Sequence, residues 1–112
     1  MTVLLLDDER SFKDTRECLV ARSTWEAIEL TDAMTALDEL WLDYVLQGTD
    51  STDEFLSHLR RRKWDGNPLV LKKVYIHTSA YAAVVLLKSI LLSLDVDEEN
   101  IEVVNHRDYM ES

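Results

Sequence analysis

Short apolar runs alternate along the chain with longer segments that mix polar and apolar residues. Apolar runs of this length, bounded by polar residues, are typical of strands buried inside a sheet, whereas the mixed segments have helical spacing. The runs predict strands at residues 2–6, 18–22, 38–42, 69–76 and 101–104. Strands that alternate with helices favour a parallel sheet with helices on both faces. The pattern therefore predicts a three-layer α/β fold built on a five-stranded parallel sheet.

Two of the mixed segments begin with the spacing of a capping box, in which a Ser and a Glu three residues later satisfy each other's exposed backbone groups. These are residues 23–26 and 51–54. The first predicts a helix that ends between residues 31 and 36, and the second predicts a helix that ends at the basic run of residues 60–63. Candidates for the buried surface of the first helix are Trp25, Ile28 and Leu30.

The remaining segments differ in length and polarity. Residues 81–94 predict a long helix that is apolar around most of its circumference and therefore largely buried. The segment between the first two strands is polar and barely long enough for a helical crossover, so the first helix of the fold is expected to be short or missing. Residues 105–112 are expected to form a loose tail. We predict a single domain over residues 1–112.

Composition and charge exclude several classes of partner. A hydrophobic fraction of 46% with only two Gly and one Pro indicates a globular core rather than disorder. The net charge of −10 disfavours binding to duplex nucleic acid, which depends on Lys and Arg at phosphates, and also binding to anionic membranes. The basic run of residues 60–63 is therefore better interpreted as a solvated helix end.

The sequence shows neither a signal-peptide pattern nor an apolar segment of membrane-spanning length. Its single cysteine, Cys18, rules out a disulfide within the chain, and a free cysteine is typically a buried thiol. We therefore expect a cytoplasmic protein with Cys18 packed in its core.

Acidic residues directly follow two of the predicted strands. Asp7 and Asp8 come after the first strand, and Asp43 comes after the third. The carboxyl ends of parallel strands meet at one edge of a sheet, where ligand crevices form. Carboxylates that crowd together repel each other unless a cation lies among them, and Mg²⁺ prefers oxygen ligands of this kind. The three acids are a candidate Mg²⁺ site; the alternative is that they end strands and face water.

Three further polar residues are candidates for the same edge. Thr78 follows the fourth strand, where its hydroxyl can contact a phosphoryl oxygen or cap the next helix, for which Ser79 is the better candidate. His77 is either an acid or base in catalysis or a hydrogen-bonded core histidine. Arg10 can neutralise Glu9 or hold a phosphate through two hydrogen bonds.

The other two histidines carry weaker signals. His58 lies amid arginines on a predicted helix and is expected in solvent, and His106 lies in the predicted tail. The sequence has no Cys/His cluster with zinc spacing. It also lacks a Walker loop and a Gly-rich dinucleotide turn.

On these residues the chain resembles the receiver domains of two-component response regulators. Asp7 and Asp8 match the acidic pair of that family, Asp43 matches its phosphoacceptor, and Thr78 matches its Ser/Thr after the fourth strand. The resemblance implies a flavodoxin/receiver-like fold. It also implies Mg²⁺ bound by Asp8, Asp43 and the backbone carbonyl of Val45.

Within the receivers, the chain is most similar to the cyclic-phosphate-processing receiver-like branch. Residues 6–10 read Leu-Asp-Asp-Glu-Arg, which is the pattern of that branch, and His77-Thr78 follows its fourth-strand pattern. Three positions depart from the receiver patterns: Val45 replaces an acid, Ala80 replaces an Asn, and Asn-His-Arg at residues 105–107 replaces the usual lysine. The resemblance implies phosphoester or cyclic-phosphate chemistry.

Three functions are therefore open. The first is a metal-dependent phosphoesterase acting on a phosphorylated small molecule or nucleotide end, with Asp43, His77, Thr78 and Arg10 as the catalytic residues. The second is a receiver-like module that has lost the chemistry and binds a protein partner, with Trp64, Tyr81 and Tyr109 as candidates for its surface. The third is a phosphoacceptor receiver. The sequence predicts no oligomeric state.

Overall fold

A computed structural model describes residues 1–46, 48, 50–78 and 80–111. The strands are β1 Val3–Leu6, β2 Ser11–Phe12, β3 Leu19–Ala21, β4 Ala36–Leu37, β5 Glu39–Leu42, β6 Val70–Leu71, β7 Val74–Ile76, β8 Ile101–Val103 and β9 Met110–Glu111. The helices are α1 Thr24–Thr31, α2 Thr52–Trp64 and α3 Tyr81–Ser93. Single 3-10 turns cover Glu98–Asn100 and His106–Asp108.

The central sheet has five strands in the order β3-β1-β5-β7-β8, and each neighbouring pair is parallel. This confirms the predicted receiver-like α/β fold. The chain leaves β1 toward β3 on one side and later returns to β5 on the other side, so the direction of winding reverses between β1 and β5. Ligands bind at such a reversal, beyond the carboxyl ends of the strands.

The predicted fourth strand is interrupted. Residues 69–76 form two short strands, of which β6 pairs with β4 and β7 joins the central sheet. Lys72 and Lys73 separate them, and Lys72 donates its backbone N–H to Leu37. The interruption leaves the carboxyl end of β7 where the sequence placed it, directly before His77.

The two faces of the sheet are covered differently. Alternate residues of β1 face opposite sides, so Leu4 and Leu6 join the larger core cluster while Val3 and Leu5 join a smaller one. Each of α1, α2 and α3 contributes buried residues to the larger cluster. Among the described residues, no helix contributes to the smaller cluster.

The smaller cluster is covered by an antiparallel ribbon of β2 and β9, which stands where a second helix layer was expected. The polar segment after β1 makes only this short strand, so the first helix of the fold is missing, as predicted. Trp41 stacks on Tyr75 with ring centroids 4.1 Å apart, and Phe12 meets Trp41 edge-on at 5.0 Å. These aromatic contacts fill the face that a helix would otherwise cover.

The C-terminal segment is ordered, so the prediction of a loose tail is wrong for residues 105–111. Met110 is only 2% exposed and lies in the smaller cluster, while β9 pairs with β2. Ser112 lies outside the described residues. Cys18, predicted to be a core thiol, is half-buried at the margin of this cluster.

Two predictions about helix burial are also wrong. Trp25 is 66% exposed, although the helix begins as predicted, with Ser23 accepting a hydrogen bond from the backbone N–H of Glu26. The buried side chains of α3 form a single stripe at helical spacing, Ala83, Leu87 and Leu91. Val84 and Ile90 are partly buried beside this stripe, whereas Tyr81, Val85, Leu86 and Leu92 are exposed, because α3 packs on one side only. No helix of the described chain is both long and apolar enough to cross a bilayer.

Candidate functional site

The site lies beyond the carboxyl ends of β1, β5 and β7. Asp7, Asp43 and His77 each offer one potential ligand atom, and these atoms all lie within 4.8 Å of one another. The sequence predicted that Asp7 and Asp43 would meet and that His77 was a candidate for the same edge. Asp8 is half-buried but is not part of this cluster.

Asp7 is completely buried and is held by hydrogen bonds on both carboxylate oxygens. Its Oδ1 accepts the backbone N–H groups of Glu9 at 2.9 Å and Arg10 at 2.8 Å, and its Oδ2 lies 3.1 Å from His77 Nε2. Burial alone would raise the pKa of Asp7, but the hydrogen bonds from His77, Glu9 and Arg10 outweigh burial and lower the pKa to about 2. Asp7 is therefore a carboxylate at neutral pH.

The guanidinium of Arg10 lies between the buried Asp7 and the half-buried Asp43. Its Nη1 is 3.3 Å from Asp43 Oδ2 and 3.6 Å from Asp7 Oδ2, whereas its Nη2 reaches Glu9 only at 4.0 Å. Arg22 fixes this loop, because its Nη1 donates to the backbone carbonyls of Arg10 at 2.6 Å and Asp7 at 3.2 Å. Sequence reasoning missed Arg22, since an arginine at the end of a strand has no distinguishing pattern.

Asp43 is the more accessible acid of the pair, with 14% of its side chain exposed. Its Oδ1 accepts the backbone N–H of Tyr44 at 2.7 Å, and its Oδ2 accepts from Arg10. Burial raises the pKa of Asp43 and the charge of Asp7 adds to this, against the opposing effects of Tyr44, His77 and Arg10. Of the two acids, Asp43 is therefore the one whose pKa is raised and Asp7 the one whose pKa is lowered.

His77 has one nitrogen bound and the other free of protein partners. The residue is 1% exposed, its Nε2 faces Asp7, and its buried Nδ1 has no hydrogen-bond partner among the described residues. An ionised carboxylate at Nε2 favours the tautomer in which that nitrogen carries the proton, which leaves the lone pair of Nδ1 available. A buried acceptor of this kind is costly to leave unpaired, so a ligand or water would be stabilised there.

A cavity of about 250 Å³ joins these residues. We call it the phosphate pocket, after the ligand proposed for it below. Its lining residues are Arg10, Asp43, Val45, His77, Thr78, Ala80 and His106. The hydroxyl oxygen of Thr78 accepts the backbone N–H of Ala80 at 3.4 Å, which is a weak contact. Ser79, the other candidate for this cap, lies outside the described residues. Every residue predicted to be catalytic therefore lines one pocket.

His106 was assigned to a loose tail, and its place in the pocket was missed. Asn105 Oδ1 accepts the backbone N–H of Arg107 at 3.0 Å, and Lys13 Nζ donates to the carbonyl of Arg107, so the turn is held at its central residue. Burial lowers the pKa of His106, and the charges of Arg10, Arg107 and His77 lower it further. A capping Asn followed by buried Met110 is the signal that could have indicated an ordered turn.

The cluster does not fit Mg²⁺ as arranged. A carboxylate offers about four lone-pair positions, and those of Asp7 face Glu9 N–H, Arg10 N–H, His77 and the Arg10 guanidinium. Arg10 also contacts Asp43, so it occupies the position of a cation between the acids. A divalent ion would have to displace Arg10, and Asp8, which the receiver resemblance makes a ligand, lies outside the cluster.

Comparison with known proteins assigns the family. The model of a family described as "Cyclic-phosphate processing Receiver domain" matches residues 2–97. Searches of curated proteins and of solved structures found no match. The matched residues include Asp7, Arg10, Asp43 and His77, and they end before the turn that carries His106. Because the match covers most of the chain, the protein belongs to the cyclic-phosphate-processing receiver domains.

Proposed function

We propose that the protein is a phosphoesterase that hydrolyses a cyclic phosphodiester in the phosphate pocket. The observation that carries the proposal is the state of His77, which is buried, oriented by Asp7 at one nitrogen and unpartnered at the other. An imidazole held by a carboxylate in this way is suited to act as a general base. Family membership supports a cyclic phosphate as the substrate.

The pocket offers donors for the phosphoryl oxygens. Arg10 has further N–H groups beyond the one that faces Asp43, and a guanidinium can donate two parallel hydrogen bonds to a phosphate. Thr78 has a hydroxyl hydrogen to donate, because its contact with Ala80 uses only the oxygen as an acceptor. These groups would hold the substrate and stabilise the charge that develops on the phosphoryl oxygens.

The proposed reaction consumes one water molecule. His77 Nδ1 takes a proton from water as its oxygen attacks phosphorus, the P–O bond to one ring oxygen breaks, and that oxygen leaves as an alcohol after it takes up a proton. His106 lines the same pocket, and its imidazolium form is the group we assign to supply that proton. Because the pKa of His106 is lowered, this form is scarcer at neutral pH than it is in a free histidine. Asp43 keeps Arg10 in place; in the alternative route Asp43 itself attacks phosphorus and an aspartyl phosphate forms.

No step of the proposed reaction uses Mg²⁺, and the ion enters only as a condition of the activity test. When bound by Asp8 and Asp43 it would supply positive charge next to the phosphoryl oxygens, as receiver resemblance implies. The contacts of Arg10 with both acids mean that such binding requires Arg10 to move. The steps assigned to His77, Arg10, Thr78 and His106 need only the protein's own side chains.

The proposal is tested by incubating the protein with a panel of cyclic phosphates, including nucleoside 2′,3′-cyclic and 3′,5′-cyclic monophosphates, with either Mg²⁺ or EDTA. We expect turnover that falls by about 10²–10⁴ in His77→Asn, the range for loss of a general base. His58→Asn, on α2 and outside the pocket, is the matched control. Absence of turnover across the panel with and without Mg²⁺ would overturn the proposal.

A second function, a protein-binding module, is favoured by the outer face of α3. Tyr81 is 81% exposed and Val85 52% exposed, and about half of Leu92 is exposed. The apolar face could bind a partner, and Arg10 occupies the place of a cation between the two acids. Both features are consistent with a receiver that keeps its fold without phosphate chemistry. A stable complex that is unaffected by Asp43→Asn, together with no turnover, would favour this function. Labelling of Asp43 by a small phosphodonor would instead favour a phosphoacceptor receiver.

A further inference from the structure

A second cavity, of about 470 Å³, adjoins the phosphate pocket at the ends of β7 and β8. The two cavities share His77, Thr78 and His106 as lining residues. We propose that the second cavity binds the organic portion of the phosphoester, a group of about the size of one nucleoside, while the phosphate lies in the phosphate pocket. This inference rests on the proposed function, because it names the substrate class of the same site.

The sizes of the two cavities support this division. The phosphate pocket, at about 250 Å³, is smaller than the roughly 300–1,000 Å³ that is usual for sites of organic ligands. The second cavity falls within that range. A substrate that filled both cavities would contact the shared residues, and its scissile bond would lie next to His77 and His106.

The lining of the second cavity suits a nucleoside. Val103 and Val104 offer apolar surface to the face of a base, while Asn105 and Arg107 offer polar groups to its edges or to a sugar. None of the described residues that line the cavity is acidic, although the whole chain has a net charge of −10. Arg107 gives this lining one fixed positive charge, which favours a ligand that carries a phosphate.

The unpartnered nitrogen of His77, on which the proposed function also rests, indicates that a ligand binds between the two cavities. His77 lines both cavities, its side chain is inaccessible to solvent, and its Nδ1 lacks a partner among the described residues. Buried polar atoms are nearly always hydrogen-bonded, so an exception next to a cavity points to a group that binds there. Because no side-chain atom of His77 is open to solvent, a phosphoester in the two cavities would bring an oxygen to this nitrogen only after a neighbouring side chain moved.

The wall of the second cavity is preorganised by the C-terminal segment. The Asn105 cap, the contact from Lys13 to Arg107 and the β2–β9 ribbon all hold the turn against the sheet. Preorganised walls lower the entropic cost of binding. This segment lies beyond the family match at residues 2–97, so the inferred specificity belongs to the chain's own C-terminal residues.

The test compares three probes by isothermal titration calorimetry: inorganic phosphate, adenosine 3′-monophosphate and adenosine. We expect the nucleotide to bind at least tenfold more tightly than inorganic phosphate. Val103→Phe, which fills the cavity, should weaken the nucleotide at least tenfold and leave inorganic phosphate unchanged. Val70→Phe is the matched control, because Val70 also lies in a strand, is 52% exposed compared with 49% for Val103, and does not line either cavity.

The outcomes separate the two proposals. The inferred substrate class is overturned if the nucleotide binds no more tightly than inorganic phosphate, or if Val103→Phe leaves the affinity for the nucleotide unchanged. Either result would leave the proposal for the phosphate pocket intact. Failure of the wild-type protein to bind either phosphate probe overturns the proposed function together with the inference. Circular dichroism of Val103→Phe shows whether that variant keeps the fold, and Asn105→Ala supplies a second, smaller change in the same wall.

Discussion

The carboxylate of Asp7 lies 3.1 Å from the Nε2 of His77, and both side chains are fully removed from solvent. The two residues are 70 positions apart in the sequence and come from the ends of β1 and β7, which are separated in the sheet by β5. The contact therefore joins the ends of β1 and β7 at the edge of the sheet where the phosphate pocket opens. It also sets which nitrogen of His77 faces the acid.

We expect Asp7→Asn to lower the free energy of unfolding by about 1–3 kcal/mol, the usual cost of leaving a buried polar group unsatisfied. The amide keeps an oxygen for the backbone N–H groups of Glu9 and Arg10 but turns a donor toward His77. Urea unfolding of Asp7→Asn, His77→Asn and the double variant forms a mutant cycle. A coupling energy within about 0.5 kcal/mol of zero would mean that the pair does not interact in the folded protein.

The low pKa of Asp7 predicts a loss of stability in acid. Hydrogen bonds from His77 and the backbone overcome burial and lower its pKa from 3.8 to about 2, so between these values the unfolded chain binds more protons than the folded one. The stabilisation is therefore complete only above about pH 5 and disappears as the pH falls through 2, with a size of about 2 kcal/mol. Urea midpoints measured from pH 5 to pH 2 should fall steeply in the wild-type protein.

The acid prediction has an internal control. Asp14 also has its pKa lowered to about 2, by hydrogen bonds from the side chain and backbone of Arg16, but it lies on the surface where solvent screens the pair. Asp7→Asn should flatten the dependence of the free energy of unfolding on pH. Asp14→Asn should retain most of that dependence. Equal flattening by the two variants would contradict the assignment of the acid transition to Asp7.

Much of the site followed from the sequence, because parallel strands bring their carboxyl ends to one edge. That rule predicted the meeting of Asp7 and Asp43 and the neighbourhood of Arg10, His77 and Thr78. It did not decide between Asp7 and Asp8, since side chains alternate along a strand and a shift of one residue reverses the face. Asp7 donates its backbone N–H to Ala21, so the strand pairing continues by one residue and buries Asp7 instead of Asp8.

The parts that the sequence did not reveal depend on tertiary contacts. The exposure of Trp25 shows that a capping box fixes where a helix begins but not which face it buries. The pairing of β2 with β9 holds the C-terminal segment that brings His106 to the phosphate pocket. Each of these strands has only two residues, which is too short for a hydrophobic period to be detected in the sequence. The position of Arg10 between two acids likewise depends on how the loop folds, which Arg22 fixes from β3's end.

Removal of Arg10 should favour binding of a divalent cation. In Arg10→Ala the carboxylates of Asp7 and Asp43 lose the guanidinium that lies between them, so we expect Mg²⁺ to bind at least tenfold more tightly than in the wild type, about 1.4 kcal/mol. Mg²⁺ titration followed by NMR would measure this. Arg16→Ala, which removes a surface arginine paired with Asp14, is the control.

A second variant identifies the residues that hold the ion. Asp8→Ala in the Arg10→Ala background should abolish Mg²⁺ binding if Asp8 and Asp43 are the ligands, as the receiver resemblance implies. Binding that survives Asp8→Ala would assign the ion to Asp7 and Asp43, which the structure brings together. Equal Mg²⁺ affinity in the wild type and in Arg10→Ala would show that Arg10 does not compete with a cation.

The ordered C-terminal segment makes a final prediction about stability. Met110 is 2% exposed and packs in the smaller cluster with Phe12 and Trp41, so Met110→Ala should lower the free energy of unfolding by about 2–4 kcal/mol through lost burial and the cavity left behind. Glu111→Ala, on the same strand but exposed, should change it by less than about 0.5 kcal/mol. Urea unfolding compares the two. A Met110→Ala protein as stable as Glu111→Ala would mean that the segment is loose in solution, and His106 would then lack the support that holds it in the phosphate pocket.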